Sequence, residues 1–577
     1  MKNLVLICLT LVFFTSSIAA QPPDVIFTGG RIVTVDQQFT IATALAIRGD
    51  RIVLAGSDSD VQKLAVPTTR KIDLLGKMIL PGLIDSHVHA TGAAVYEFDH
   101  PIPEMETITD VLEYVRRRAD SLEDGQWILL NQVFVTRLRD QRFPTRWELD
   151  EVAPNNPVAF RTGPDAALNS LALKLCGIDK DFRITDGQPG RIETDPETGE
   201  PNGIIRSAGR FIKTDNPDRN PDATQQKEAL RKLLADYNAS GITSIVQRSA
   251  DESAVQLFQS LLDDKQLTCR TFLCWGINPT GEWKDVSEQI LTAARHPAHE
   301  YNNMLWVRGV KVFLDGGMLT GSAYMRKPWG VSTIYSINDP DYRGVLNIEP
   351  ERLFEVARLC LQNDLQITAH AVGDGAVHTL IDAYRRVNEE LPVKDRRPCI
   401  THCNFMSEEA IESMKQLGIV ADIQPVWLYL DGKTLHRQFG NERLTWFQPY
   451  KTLFEEGVMV GGGSDHMQKI GSLRSVNPYN PFLGLWTMLT RLPRWTDQPL
   501  HPEQIVTREQ ALRFYTINNA WLTFEEHEKG SLEAGKLADF IVIDRDYLTC
   551  PVDEIRSITV EQTWLGGQVV YEKSQPE

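Results

Sequence analysis

Short apolar runs alternate with helical patterns through the middle of the chain. The strand candidates are residues 78–84, 242–246, 270–275, 307–314, 366–370, 399–402, 419–424 and 458–464. The helical patterns between most of them cover residues 227–239, 253–264, 286–295, 351–363, 375–390 and 407–418. Alternation of this length predicts a parallel sheet, and eight strand–helix units close into a (β/α)8 barrel, the TIM barrel. We therefore expect an α/β fold.

Both ends of the chain carry short alternating runs that are interrupted by Gly and Asp. The candidates are residues 25–28, 31–35, 44–47, 51–56 and 71–74 near the start, and 540–544, 560–565 and 568–571 near the end. Such runs are typical of antiparallel sheet. Because neither end has enough strands for a stable sheet, we expect one composite β-sandwich built from both termini.

Residues from about 125 to 225 interrupt the alternation, and residues 181–221 are rich in Gly, Pro, Asp and Thr. We interpret them as an insertion after the first barrel strand, either a cover over the barrel mouth or a decoration without a role. The predicted units are then residues 21–80 and 521–577 for the two parts of the sandwich, and 81–520 for the barrel with its insertion.

The first 20 residues have the three parts of a secretory signal peptide. Lys2 supplies a positive charge, residues 4–14 are apolar, and the small residues Ser17, Ala19 and Ala20 form the expected cleavage site. A membrane anchor is the alternative, but the apolar run is short for a bilayer span, and no later segment is longer. We expect a periplasmic or secreted protein that leaves the membrane after signal cleavage.

Composition excludes some classes of partner. The chain has 577 residues, enough for more than one core, with 42% hydrophobic and 24% charged residues, which is typical of a soluble globular protein. A net charge of −17 argues against a nucleic-acid partner and weakly disfavours anionic partners. The seven cysteines after the signal peptide match no metal-binding spacing. A homo-oligomer stays open.

Histidine and aspartate occupy the ends of several predicted strands. His87 and His89 are two residues apart, so both imidazoles face one side of a strand end, where they could bind a divalent metal ion. His370, His402 and Asp465 end three other strands. Each alone has a structural alternative, such as a core histidine or a helix cap. Together they fall where barrel enzymes carry catalytic side chains and predict a metal site.

Lys311 lies inside the apolar run of a predicted strand, where a charged amine is costly to bury. An ion pair with an acid such as Asp315 would compensate the charge. Alternatively, a neutral amine could take up carbon dioxide and form a carbamate, whose two oxygens can bridge two metal ions. The residues alone favour the ion pair. His466 follows Asp465 and is retained as a candidate substrate contact.

Several stretches resemble a known superfamily. They are residues 81–89 (PGLIDSHVH), 309–316 (GVKVFLDG), 370–374 (HAVGD), 424–425 (QP), 463–465 (GSD), 516–520 (TINNA) and 530–540 (GSLEAGKLADF). Residues 81–89 and 530–540 resemble the first-strand and C-terminal sandwich signatures of the amidohydrolase superfamily. Within it the chain is similar to amidohydrolase family 3, the YtcJ-like branch, over nearly all of its length after the signal peptide.

The resemblance implies a metal-dependent hydrolase of carbon–nitrogen bonds other than peptide bonds, with zinc as the expected ion. In a two-ion site, His87, His89 and Asp465 would hold one ion, His370 and His402 the other, and carboxylated Lys311 would bridge them. This ligand assignment follows from the resemblance alone, and a one-ion site is the alternative. The expected substrate is a small molecule. Asp465 would act as general base and then acid. The competing hypotheses are an esterase or lactonase and a non-catalytic binding or regulatory barrel.

The chain departs from the pattern of this branch at two places. Thr162, Gly163 and Pro164 stand where the branch often has Asp-Gly-His, and Arg248 replaces a frequent Asp. A substrate-side histidine is thereby missing. We expect the insertion and the surroundings of Pro164 and Arg248 to select the substrate.

Overall fold

The structure is a computed structural model that describes residues 21–574, except residues 132, 163–164, 187–189 and 216. The predicted signal peptide and the departure at Pro164 lie outside the described residues. Within the described part of the chain, no helix is both long and apolar enough to cross a membrane.

The secondary structure alternates as expected. The strands are β1 (Val25–Thr28), β2 (Arg31–Val33), β3 (Ile41–Ala42), β4 (Ala44–Arg48), β5 (Arg51–Gly56), β6 (Arg70–Asp73), β7 (Met78–Pro81), β8 (Leu83–Val88), β9 (Ile128–Leu130), β10 (Val158–Thr162), β11 (Asp165–Leu168), β12 (Arg191–Thr194), β13 (Pro201–Arg206), β14 (Ile242–Ala250), β15 (Arg270–Gly276), β16 (Leu305–Phe313), β17 (Gln366–Ala371), β18 (Cys399–His402), β19 (Val420–Ile423), β20 (Val460–Gly462), β21 (Phe540–Ile543), β22 (Val560–Leu565) and β23 (Gln568–Glu572). The helices are α1 (Asp58–Leu64), α2 (Ala90–Val95), α3 (Ile108–Ser121), α4 (Arg146–Val152), α5 (Ser170–Leu175), α6 (Ala223–Ala239), α7 (Glu252–Asp263), α8 (Trp283–Arg295), α9 (Pro350–Gln362), α10 (Asp374–Glu390), α11 (Glu408–Leu417), α12 (Pro425–Arg443), α13 (Tyr450–Glu455), α14 (Pro481–Thr490), α15 (Arg508–Phe514) and α16 (Ile517–Leu522).

An eight-stranded parallel sheet forms the centre of the molecule, in the order β8, β14, β15, β16, β17, β18, β19 and β20. Hydrogen bonds close the barrel beyond β20: Asp465 N donates to His87 O (2.8 Å) and His89 N donates to His466 O (2.7 Å). Strands such as β18 and β19 are buried at every position, as a sheet covered by helices requires. The predicted α/β barrel is confirmed.

Two further sheets pack together as a sandwich. One has the order β5-β4-β1-β6, and the other joins both ends of the chain in the order β23-β22-β21-β7-β2-β3. Phe27 of the first sheet contacts Phe540 and Trp564 of the second, with ring centroids 5.3 and 5.2 Å apart. The composite sandwich is confirmed. The expectation of purely antiparallel pairing is wrong, because β1 pairs with β6 and β2 with β7 in parallel.

The predicted strand at residues 78–84 is two strands. β7 pairs with β21 in the sandwich, whereas β8 pairs with β14 in the barrel. The chain changes sheets at Gly82, where any Cβ would overlap the side chain of Thr243. The apolar run continues across this point, so hydrophobicity could not show the change. The residue boundaries of the predicted domains stay predictions.

The insertion forms a five-stranded sheet in the order β12-β13-β11-β10-β9, together with α3, α4 and α5. Arg137 anchors it to the barrel: Nε and Nη2 donate to both oxygens of Asp431 on α12 (2.9 and 2.8 Å), and Nη1 donates to Asn477 Oδ1 (2.9 Å). Since Asn477 follows β20, the insertion lies against the carboxyl end of the barrel. This position favours a cover over the mouth.

Candidate metal centre

Three predicted ligands converge where the first and last barrel strands meet. His87 Nε2 lies 3.1 Å and His89 Nε2 3.3 Å from Asp465 Oδ1, and one ligand atom from each residue lies within 4.8 Å of the others. Two ligands of one tetrahedral zinc ion, each about 2.0 Å from it, lie about 3.3 Å apart. The spacing therefore suits a single ion. His87 and Asp465 are buried, and His89 is partly exposed toward the mouth.

Asp85 fixes the backbone that presents these ligands. Its Oδ1 accepts hydrogen bonds from His87 N and Ser464 N (3.0 Å each), and its Oδ2 accepts one from Ser464 Oγ (2.6 Å). One carboxyl group thus joins β8 to the residues that follow β20. Burial raises the pKa of Asp85 to about 7, against the opposing effect of these hydrogen bonds.

Two of the predicted ligands have left-handed backbone conformations that are uncommon outside glycine. The φ angle is 56° at Asp465 and 84° at His402. Such conformations cost free energy and persist where the surrounding structure holds them. Here they turn the side chains at the ends of two barrel strands inward.

His370 and His402 form a second pair beside the first group. Their ring centroids lie 4.4 Å apart, and His402 lies 5.1 Å from His87. His402 Nδ1 lies 2.7 Å from Gln424 Oε1, so Nδ1 carries the proton and Nε2 keeps its lone pair for a metal ion. The ring also stacks on Trp427, with centroids 4.7 Å apart. Neighbouring side chains thus fix its orientation and tautomer.

The buried imidazoles are held neutral. Burial lowers the pKa of His370 to about 3 and those of His87 and His402 well below the usual range, and the nearby Lys311 amine adds to each shift. Neutral imidazole is the form that binds metal ions. In the described structure neither ring nitrogen of His87 has a hydrogen-bond partner. Unpaired buried nitrogens are unfavourable, and an ion would satisfy one.

Lys311 is fully buried on β16, and its amine has no hydrogen-bond partner among the described residues, although it lies 5.1 Å from the centroid of the Phe313 ring. The expected ion pair with Asp315 is wrong, because that carboxylate instead accepts hydrogen bonds from the backbone N–H groups of Tyr324, Val372 and Gly373 at 2.9 to 3.0 Å. Burial lowers the pKa of Lys311 to about 8, and the charge of Arg248 acts in the same direction. An unpaired, partly neutral amine remains beside the imidazoles.

Comparison with known proteins places this site in a family. The model of the amidohydrolase family matches residues 70–571. The chain belongs to this family. This amidohydrolase is 27% identical to the N-substituted formamide deformylase of Arthrobacter pascens over 565 residues. The alignment covers 96% of this chain and 99% of that protein. It is 24% identical to YtcJ of Bacillus subtilis (strain 168), over 95% of this chain and 99% of YtcJ.

The same fold occurs in a solved structure. An uncharacterized metal-dependent hydrolase from Pyrococcus horikoshii OT3 superposes with a TM-score of 0.65 at 21% identity, over 92% of this chain and 99% of that one. Family membership confirms the predicted resemblance and the predicted class of enzyme, a metal-dependent hydrolase of carbon–nitrogen bonds other than peptide bonds. The assignment of individual residues to one or two ions stays a prediction.

Arg248, where the chain departs from its branch, is bound inside the barrel of the amidohydrolase. Its Nε donates to Ser86 O (3.0 Å), Nη2 to Asp422 Oδ2 (2.8 Å) and Nη1 to Cys274 Sγ (3.6 Å). The side chain is completely buried, and each of its three nitrogens has a protein partner. The expectation that the surroundings of Arg248 help to select the substrate stays a prediction. Arg248 compensates Asp422, a buried carboxylate 3.8 Å from His87 Nδ1.

His466, the candidate substrate contact, has a protein partner on each ring nitrogen. Its Nδ1 accepts a hydrogen bond from Tyr237 OH (2.7 Å), and its Nε2 donates to Lys469 O (2.6 Å). The ring is completely buried, and these bonds hold the loop after β20. A contact of His466 with the substrate stays a prediction. One other group of potential ligands, Asp99 with His100 and Asp218, lies in the described chain and pairs with arginines.

The sequence analysis did not identify Asp85, Asp422 or Gln424 as supporting residues. Asp422 and Gln424 lie two residues apart at the end of β19, in the pattern that drew attention to His87 and His89. A carboxylate and a carboxamide on one side of an apolar strand could have indicated that Asp422 and Gln424 support the site. Their partners, Arg248 and His402, could not be read from that pattern because they lie on other strands.

Proposed function

We propose that the protein hydrolyses an amide-like carbon–nitrogen bond of a small molecule with a divalent metal ion, most readily zinc. The convergence of His87 Nε2 and His89 Nε2 on Asp465 Oδ1 carries this proposal. Two imidazoles and a carboxylate are a typical donor set of catalytic zinc sites and leave a coordination position for water or substrate. His370 and His402 offer donors for a second ion.

A divalent ion, when bound, polarises the carbonyl and lowers the pKa of water toward neutrality. Asp465 Oδ1 faces both imidazoles, and Oδ2 lies 3.5 Å from its nearest donor, Asn477 Nδ2. Oδ2 is therefore the atom that takes a proton from the attacking water. The new C–O bond forms as the C–N bond breaks, and Asp465 returns the proton to the leaving nitrogen.

Lys311 is proposed to be carboxylated. Its neutral amine adds to carbon dioxide, which forms an N–C bond, releases one proton and gives a carbamate anion. The absence of any ion-pair partner and a pKa near 8 support this reaction. The carbamate would place two oxygen donors among the imidazoles and replace a buried positive charge with a negative one.

The 27% identity to N-substituted formamide deformylase makes N-substituted formamides the first substrates to test. The panel should add N-acyl amines, cyclic amides, esters and lactones, each followed by release of its product from protein loaded with zinc or manganese. Elemental analysis should find one or two ions per chain, and His89→Ala should lower both metal content and turnover. Lys284→Met, at an exposed position of α8, serves as the control.

Ester or lactone turnover without amide turnover would favour the esterase alternative. Stoichiometric metal without turnover of any compound would favour a binding or regulatory barrel. Protein without stoichiometric metal would refute the proposal.

We also propose export, on the basis of the predicted signal peptide. N-terminal sequencing of protein from the periplasm or medium should begin just after Ala20. Cytoplasmic protein that retains Met1 would refute export.

A further inference from the structure

A cavity lies between the insertion and the loop that follows β20. Its volume is about 450 Å³, within the range of about 300 to 1,000 Å³ that is typical of small-molecule sites. None of the predicted metal ligands lines it. The described structure therefore contains a space of ligand size whose lining does not include these ligands.

Apolar side chains from three parts of the chain line most of this cavity. Leu130 and Phe134 come from the insertion, Tyr429 from α12 and Leu483 from α14. All four are buried or nearly so. They form a surface against which an alkyl or aryl group can pack without contact with water.

Lys469 places a buried amine without a direct ion pair at the cavity wall. It is only 4% exposed, and its Nζ donates one hydrogen bond, to Pro103 O at 2.8 Å. Within the described residues no carboxylate lies within 4.0 Å of this amine, whereas Arg137 and Arg474 in the same wall are paired with Asp431 and Glu97. Burial lowers the pKa of Lys469, while the more distant carboxylates of Glu97 and Glu104 raise it. A buried ammonium that no carboxylate contacts gains from an anion placed beside it.

Gln468 leaves a second polar group unsatisfied next to Lys469. The side chain is 2% exposed, and its Oε1 has no hydrogen-bond partner in the described structure. The two ends of a carboxamide are interchangeable, so Gln468 can present either a donor or an acceptor. Buried polar groups without partners are rare in native proteins, and a bound ligand is one explanation.

We propose that this cavity binds an amphipathic carboxylate, which accepts hydrogen bonds from Lys469 Nζ and the Gln468 carboxamide while its apolar body packs against Phe134, Tyr429 and Leu483. The remaining acid in the inner wall does not oppose this charge, because Glu106 is engaged by Arg139 and Arg494. Glu104 lies at the exposed rim. The inference does not depend on the proposed hydrolysis.

The test uses octanoate as the probe and octanamide as its uncharged counterpart, titrated calorimetrically into the full-length, metal-loaded protein. Octanoate should bind more tightly than octanamide. Lys469→Met removes the charge at nearly constant size and should weaken octanoate binding about tenfold or more. Gln468→Glu adds a competing carboxylate and should weaken it similarly. Lys284→Met, the matched exposed control, should bind as the wild type does.

His89→Ala separates this cavity from the metal centre, because carboxylates also bind metal ions. Octanoate affinity should be unchanged in this variant. Circular dichroism verifies that each variant is folded, and if Lys469→Met is not, Gln468→Glu decides. The proposal is overturned by absence of octanoate binding, by equal affinity for octanamide, by wild-type affinity in both cavity variants, or by loss of binding in His89→Ala.

Discussion

Lys311 is the residue whose chemistry most affects the metal centre. Burial lowers its pKa to about 8, so roughly a tenth of the amine is neutral at neutral pH. Lys311→Met keeps the length of the side chain but cannot form a carbamate. We expect metal content to fall by about half and kcat/KM by about 100-fold, because the centre loses ligands.

Carbon-13 NMR provides a readout that a packing defect would not change. Wild-type protein equilibrated with labelled bicarbonate should show a carbamate carbon signal that Lys311→Met lacks and Lys284→Met retains. Wild-type metal content in Lys311→Met, together with no carbamate signal in the wild type, would refute carboxylation.

His87 and His89 should also make stability depend on metal. An ion that binds only the folded state adds about 2.7 kcal/mol to the free energy of unfolding when its concentration is 100 times Kd. Urea unfolding of chelator-treated protein, with and without zinc, should show this gain, and His89→Ala should lose most of it. A gain of equal size in His89→Ala would place the stabilising ion elsewhere.

At the scale of single residues, the sequence predicted well that His87, His89 and Asp465 lie together. The carboxyl ends of parallel barrel strands meet at one face of the barrel, whatever side chains contact one another between the strands. It predicted the partners poorly. Arg248 and Asp422 are 174 residues apart and meet only in three dimensions. The predicted Lys311–Asp315 ion pair was wrong because backbone N–H groups on neighbouring loops donate hydrogen bonds to the Asp315 carboxylate. The side-chain pattern of a sequence does not show where such backbone donors lie.

At the scale of elements, Gly463 allows β8 to pack against the residues after β20. A Cβ at Gly463 would fall on Asp85 Oδ1 and lie 2.7 Å from His87 N. The residue makes room for barrel closure and for the carboxyl group that joins the two strands. Gly463→Ala must therefore push apart the strands that carry His87 and Asp465.

We expect Gly463→Ala to destabilise the fold by about 3 kcal/mol, since overpacking against backbone cannot be relieved by a rotamer change. Metal content should fall as well. Gly281→Ala is the matched control, because its Cβ meets nothing within 4 Å. Urea unfolding and elemental analysis measure the two effects, and a variant that matches the Gly281→Ala control in both would contradict the proposed closure.

Periodicity located the eight barrel strands and the helices α6 to α11, since each buries one face or both, but it did not locate α2 or α12 to α16. It could not place the boundary at Gly82, because the strands before and after it are equally apolar although they belong to different sheets. The insertion was recognised only by its composition. Its five-stranded sheet is held by pairings such as β11 with β13, between segments more than 30 residues apart, which local sequence does not specify.

At the scale of the whole molecule, one buried ion pair lies where the barrel meets the sandwich. Arg270 on β15 donates through Nε and Nη2 to the two oxygens of Asp539 (2.6 and 2.9 Å), and both side chains are 4% exposed. Asp539 Oδ1 also accepts a hydrogen bond from Gly566 N (2.7 Å), and its carbonyl accepts one from Gly82 N (3.0 Å). One residue thus contacts the barrel, the sandwich and the point where the chain passes between them.

Asp539→Ala should therefore destabilise the protein by about 3 to 5 kcal/mol, because it leaves the Arg270 guanidinium buried without a counter-ion. The exposed Asp60–Lys63 pair provides the control, and Asp60→Ala should cost less than about 1 kcal/mol. Both values come from urea unfolding followed by circular dichroism. If the sandwich separated from the barrel in Asp539→Ala, unfolding would become biphasic. If Asp539→Ala instead unfolded in a single transition and was as stable as Asp60→Ala, the barrel and the sandwich would be held together by their apolar contacts alone.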